Sequence, residues 1–173
     1  MIIFFFSYLN LNINKIKPNI KSNIFSINEL VGSNLKGNLV GKGGTKFLIK
    51  HKKGIKTKSL DLIVRENKIV NIKLVKIDVD GYDYNVIESG LGILKKNKPI
   101  IYFEFMLIEK DSLAHYKRII IKLEKLGYKT WTLLDNYGNT IFKNQTTKHL
   151  LSFIKYSKLG DLYDVACHIK KIK

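Results

Sequence analysis

From residue 72 onward the apolar and polar positions follow two alternating rhythms. Lys73–Val79 is an apolar run of strand length, closed by Asp80-Gly81. Tyr82–Leu94 then carries Tyr82, Val86, Ile87, Leu91 and Leu94 at helical spacing and breaks at Lys95–Pro99, which predicts one helix. Pro99 cannot extend that helix, and Ile100–Phe105 reads as a second apolar strand. Asp111-Ser112 caps a further helix with Leu113, Tyr116, Ile120 and Leu123 on one face, and Gly127 suits its C′ position. Tyr128–Leu134 is a third strand, Asn136-Tyr137-Gly138-Asn139 a turn, and Thr140–Phe142 a short strand. Thr146 or Thr147 opens a last helix through Leu150, Leu151 and Ile154, and Tyr163–Ile169 is the closing strand.

Residues 1–58 are less regular, Asn-rich and Lys-rich, with a glycine cluster at Gly37, Gly41, Gly43 and Gly44. Met1–Leu9 reads as a strand or the stub of one, and Asn23–Val31 and Thr45–Ile49 as short strands. Ser59–Glu66 is a short helix, with Ser59 as N-cap and Leu60, Ile63 and Val64 on one face. Apolar strands separated by amphipathic helices predict βαβ units, and hence an α/β domain with a doubly wound, mostly parallel sheet. Lys73–Val79 and Ile100–Phe105 are expected as its central, adjacent, parallel strands. In such sheets ligands sit outside the carboxyl ends of the strands, so the residues where strands stop carry the chemistry.

The chain has 173 residues, one domain in size, and its 45% hydrophobic content belongs to a folded protein. Its charge changes the picture more. Against 14 acids stand 31 Lys and Arg, for a formal net charge of +17. Nearly all are lysines, and the only arginines are Arg65 and Arg118. Specific base and phosphate recognition draws on the forked guanidinium, so specific nucleic-acid binding is not expected. Lysines crowd the stretch from Lys36 to Lys58, which reads as a solvated face or as a surface that steers an anionic substrate or lipid headgroup. Cys167 is the sole cysteine and sits in an apolar run, which excludes an internal disulfide and a cysteine-based metal site. Met1–Leu9 lacks a basic flank and a cleavage site and is too short to span a bilayer, so a cytoplasmic address is expected.

Two strand ends hold carboxylates. Asp78 and Asp80, two apart, point the same way on an extended strand. If the two strands are parallel neighbours, Glu104 lies beside them at a similar height. Such a rim can accept a hydroxyl proton, hold a cationic ligand or bind a metal. Competing structural roles are plain: Asp80 as helix cap, Gly81 as turn residue, Asp83 as partner of the helix dipole. Asp78 and Glu104 resist that reading, because a carboxylate within a buried strand is costly unless paired. A calcium loop is excluded, since counting from Asp78 the glycine falls at position 4 and Ser89 at position 12.

Lys58-Ser59-Leu60-Asp61, then Leu74-Val75-Lys76-Ile77-Asp78-Val79-Asp80-Gly81-Tyr82-Asp83, Val86-Ile87-Glu88-Ser89-Gly90 and Pro99-Ile100-Ile101-Tyr102-Phe103-Glu104 follow one another in a familiar order and spacing. With Leu126-Gly127-Tyr128 and Tyr163-Asp164-Val165, the chain resembles the FkbM methyltransferases, well over about residues 55–170 and loosely over 20–55. Asp80 stands where that pattern has Glu, and Asp83 at its second acid. The resemblance implies a partial Rossmann-like, class I methyltransferase fold. It also implies S-adenosylmethionine as methyl donor and O-methylation of a hydroxyl on a sugar, glycolipid or small-molecule acceptor. On that analogy Asp78 and Glu104 are the catalytic residues, and Asp78, Asp80 and Gly81 meet the cofactor; no residue is singled out as a metal ligand. The family's acidic, glycine-rich turn for the methionine moiety and its ribose-binding acid have no counterpart here. Gly41-Lys42-Gly43-Gly44 lacks the preceding strand-end acid and reads as a loop on the acceptor side. The expectation is therefore a single, N-terminally truncated domain over 1–173 that lacks the first strands and binds S-adenosylmethionine weakly alone. Two further contacts are expected: self-association through an exposed sheet edge, and a peripheral membrane contact. A second reading is a non-catalytic, basic α/β module for an anionic partner or membrane surface.

Overall fold

A computed structural model of the chain describes residues 2–6, 30–33, 36–40, 47–50 and 55–169. The expected strand over Asn23–Val31 falls mostly outside the described residues, and the glycine cluster from Gly41 to Gly44 wholly so. The elements run β1 Ile2–Phe6, β2 Lys36–Val40, β3 Phe47–Lys50, β4 Ile55–Lys56, α1 Leu60–Glu66, β5 Leu74–Asp78, α2 Asp83–Ser89, α3 Leu91–Asn97, β6 Ile100–Met106, α4 Ser112–Lys125, β7 Thr130–Asp135, β8 Thr140–Gln145, α5 Thr147–Ile154 and β9 Leu162–His168.

Among the described residues six strands form the main sheet in the order β1-β5-β6-β9-β7-β8, and β3-β2-β4 form a small antiparallel one. The expected centre is present: β5 and β6 are adjacent and parallel, with Leu74 opposite Ile100 and Ile77 opposite Phe103. β1 lies parallel along the other side of β5, from Ile2 opposite Leu74 to Phe6 opposite Asp78. The rest corrects the sequence reading. β9 inserts antiparallel between β6 and β7, and β8 pairs antiparallel with β7, so the sheet is mixed and not mostly parallel.

Nor is it doubly wound among the described residues. The chain steps from β5 to β6 to β7 in one direction across the sheet, and right-handed crossovers taken in one direction put their helices on one face. That face is built by Val75 and Ile77 on β5, Ile101, Phe103 and Phe105 on β6, and Val165 and Cys167 on β9. Against it pack Tyr84, Ile87, Leu94, Tyr116, Ile120, Leu123, Leu150 and Ile154 from the helices, all in one core. Alternation along the strands sends Lys76, Asp78, Tyr102, Glu104 and Asp164 to the opposite face, each partly buried.

The predicted helix over Tyr82–Leu94 is two helices, broken at Gly90. The break is tertiary in origin. Ser59 caps α1 by accepting from Leu62 N–H at 3.2 Å. Two residues on, the Asp61 carboxylate accepts from Gly92 and Ile93 N–H at 3.1 and 2.8 Å and so caps α3. Ser89 Oγ accepts from Leu60 N–H at 3.0 Å and donates to the Val86 carbonyl at 2.7 Å. A Cβ on Gly90 would lie 2.6 Å from Leu60 Cδ2, so only glycine admits that approach. Ser59-Leu60-Asp61 and Ser89-Gly90 are thus two halves of one clasp, which accounts for their joint appearance in the sequence pattern. At the far end of α4, Gly127 has φ +101° and donates to the Glu124 carbonyl at 2.8 Å, while Tyr128 N–H reaches Leu123 at 3.1 Å. This is the paired C-terminal cap expected there. At its start Asp111 makes no side-chain cap; Ser112 Oγ instead accepts from Glu109 N–H at 3.1 Å.

Candidate active site

The carboxyl ends of β5 and β6 bring Asp78 and Glu104 together as expected. They stand one step beyond the Ile77–Phe103 pair and project from the face opposite the described helices. Three residues that strand alternation places beside them complete the group. Lys76, two before Asp78, forms an ion pair with it at 2.5 Å and lies 5.8 Å from the centre of the Tyr102 ring. Tyr102, two before Glu104, donates its hydroxyl to the Asp164 carboxylate. Asp164 on β9 stands directly opposite Glu104 across the antiparallel pair.

Like charges placed opposite one another repel, and Glu104 carries the consequence. Its carboxyl is pushed up to about 7, first by burial, then by the charges of Asp78, Asp80 and Asp164, with Lys76 working against them. Its Oε2 is buried and has no hydrogen-bond partner. Asp164 is also raised by burial, in spite of the Tyr102 hydroxyl that stabilises its charged form. Buried polar atoms are nearly always satisfied, and unsatisfied ones with displaced proton affinity gather where ligands bind. Asp78 is placed differently, for its charge is already answered by Lys76.

The turn after β5 departs from its sequence reading. Asp80 does not cap α2; it takes a left-handed conformation at φ +51°, and the N-cap position falls on Tyr82. Gly81 follows at φ +88° and is buried, and a Cβ there would come within 2.7 Å of Ile108 Cγ2. It serves the turn and the packing of Ile108. Asp83 opens α2 but does more than face the helix dipole. It is fully buried, and its carboxylate accepts from Glu104 N–H at 3.0 Å and Val79 N–H at 3.4 Å.

Among the described residues no group of three His, Cys, Asp or Glu side chains is placed to hold a metal ion, and no helix is long and apolar enough to cross a membrane. A cleft of about 400 Å³ lies beside Phe153, Tyr156 and Tyr163, and none of the rim carboxylates lines it.

Comparison with protein families places the chain. The model of the Methyltransferase FkbM domain matches residues 18–130. The chain belongs to the FkbM methyltransferase family. Neither the curated proteins nor the solved structures provide a significant match. The FkbM match takes in Asp78, Asp80, Gly81, Asp83 and Glu104, and with them the Ser59–Asp61 and Ser89–Gly90 clasp. Asp164 lies beyond the matched residues and reaches the FkbM rim only because β9 inserts next to β6.

Strand alternation could have found Lys76 and Tyr102, each two residues before a predicted site acid. Asp164 was visible only as part of Tyr163-Asp164-Val165, with nothing local to tie it to Glu104.

Proposed function

We propose that this FkbM domain transfers a methyl group from S-adenosylmethionine to a hydroxyl of a sugar, glycolipid or other small acceptor, with Glu104 as the general base. The observation that carries this reading is the Glu104 carboxyl, displaced to about 7 with an unpartnered buried oxygen at the strand-end rim. A general base works best when its proton affinity lies near the working pH, and such a group contributes roughly 10²–10⁴-fold. Asp78, the other candidate expected from the sequence, has its carboxylate in an ion pair with Lys76.

The donor set fits a cationic cofactor: Asp78, Asp80, Glu104 and Asp164 supply acids around Lys76, and a sulfonium is positively charged. Asp78 and Asp80 are the residues that would hold S-adenosylmethionine. When bound, it supplies an electrophilic methyl group. Glu104 orients the acceptor hydroxyl through its free oxygen and takes its proton as the hydroxyl oxygen becomes nucleophilic. Lys76 balances the acid next to it, and Tyr102 holds Asp164 in place. The protein acts in the cytoplasm on this reading.

Affinity for the cofactor is expected to be low. The sequence offers no acidic, glycine-rich turn to present N–H groups to the methionine carboxylate, and each hydrogen bond to a charged group is worth about 1.5–3 kcal/mol. Titration calorimetry with S-adenosylmethionine, followed by transfer of a radiolabelled methyl group to a panel of glycoside and lipid acceptors, tests the reading. Weak heat with detectable transfer that disappears in Glu104→Gln is the expected result. Absence of both binding and transfer at saturating cofactor would refute it and leave a basic binding module.

A further inference from the structure

We propose that Asp83 is a positioning residue: its buried carboxylate ties the ends of β5 and β6 together and thereby sets the surroundings of the Glu104 side chain. Three observations carry this. Asp83 is fully buried, although it lies in the first turn of α2, where a helix-dipole partner would be exposed. Its two oxygens divide between two strands, one accepting from Val79 N–H just past β5 and the other from Glu104 N–H within β6. The same Glu104 peptide is held on its other side, where the Tyr116 hydroxyl of α4 donates to the Glu104 carbonyl at 2.9 Å and accepts from Met106 N–H at 3.4 Å.

Pinned at both N–H and C=O, the Glu104 backbone has little freedom, and its side chain is fixed at the height of Asp78. The carboxyl then faces Asp78 from β5, Asp80 from the turn, Asp164 from β9 and Lys76 from β5. Asp83 itself faces Asp78 and Glu104, with the Tyr116 hydroxyl beside it, and burial raises it well above the ordinary carboxyl range. Losing the tie lets the strand ends part and water reach Glu104, which weakens the burial that holds its proton. Removing any negative charge on Asp83 acts in the same direction. Both effects lower the pH at which Glu104 ionises.

The experiment is a carbon-13 NMR titration of the glutamate carboxyls in the whole chain, with Glu104 assigned from Glu104→Gln. In the unchanged protein the Glu104 midpoint is expected near 7. Asp83→Asn keeps the size but replaces one acceptor oxygen with an amide that cannot accept from a backbone N–H. Its Glu104 midpoint should fall by about one pH unit or more. Ser89→Ala is the control, since it loosens the same core at the Leu60 amide, away from the rim. It should leave the midpoint in place. An unchanged midpoint in folded Asp83→Asn, or an equal fall in Ser89→Ala, overturns the proposal. Should Asp83→Asn not fold, Tyr116→Phe decides, because it removes only the hydroxyl that holds the Glu104 carbonyl. A smaller fall supports the tie and no fall overturns it. The consequence for turnover rests on Glu104 being the base. The titration itself needs neither cofactor nor acceptor, so a failure of methyl transfer leaves its result standing.

Discussion

Replacing Glu104 by Gln removes one titrating group and keeps nearly the same shape, so its effect on stability can be read as a function of pH. In the folded chain the Glu104 carboxyl is displaced from 4.5 to about 7. The folded state therefore holds its proton over a window in which the unfolded chain has lost it. The stabilisation this provides is complete below pH 4.5 and is lost as pH rises through about 7. At about 1.4 kcal/mol per pH unit the displacement corresponds to about 3 kcal/mol. Solvent screening of a partly exposed group reduces that to about 1.5 kcal/mol. Gln carries no such dependence. Urea unfolding of both proteins from pH 4.5 to 8 should show the native chain losing about 1.5 kcal/mol relative to Glu104→Gln. In thermal melts this is a relative fall of about 3–6 °C for a domain of this size. Other acids titrate in both proteins, and the difference between the two curves removes them. A difference that stays flat across the window refutes the displaced carboxyl and, with it, the case for Glu104 as the base.

Asp78→Asn should leave the fold intact and, on the proposed function, weaken cofactor binding and turnover together; calorimetry and a labelled-methyl assay check both. Ser89→Ala strips the Leu60 amide of its buried acceptor and should cost about 1–3 kcal/mol in urea unfolding. Gly90→Ala presses a methyl to within 2.6 Å of Leu60 Cδ2 and should cost about 1–3 kcal/mol, relieved in part by adding Leu60→Val. Turnover of the native chain should rise with pH through about 7, as Glu104 loses its proton, and that limb should be absent in Glu104→Gln.

What the residue pattern determined by itself is local. The period-two and period-3.6 runs place β5, β6, α4 and β9 within a residue or two of their observed ends, because each run's burial is written into its own spacing. Ser59 and Gly127 show as caps for the same reason, and Thr146 as one of two adjacent candidates, each acting within four residues of itself. The motif pieces were enough to point to the family and to Asp78 and Glu104, since one ends its strand and the other lies two residues from the end of its own. Tertiary structure decided whatever depends on residues far apart in the chain. Gly90 breaks a helix because Asp61 caps the next one from 31 and 32 residues away. β9 runs antiparallel between β6 and β7, and no spacing within Leu162–His168 encodes its neighbours. That insertion sets Asp164 against Glu104, and the fold turns Asp83 inward to span two strand ends. A carboxyl's proton affinity is fixed by burial and by the charges around it, so the displacement of Glu104 became visible only once Asp78, Asp80, Asp164 and Lys76 stood around it.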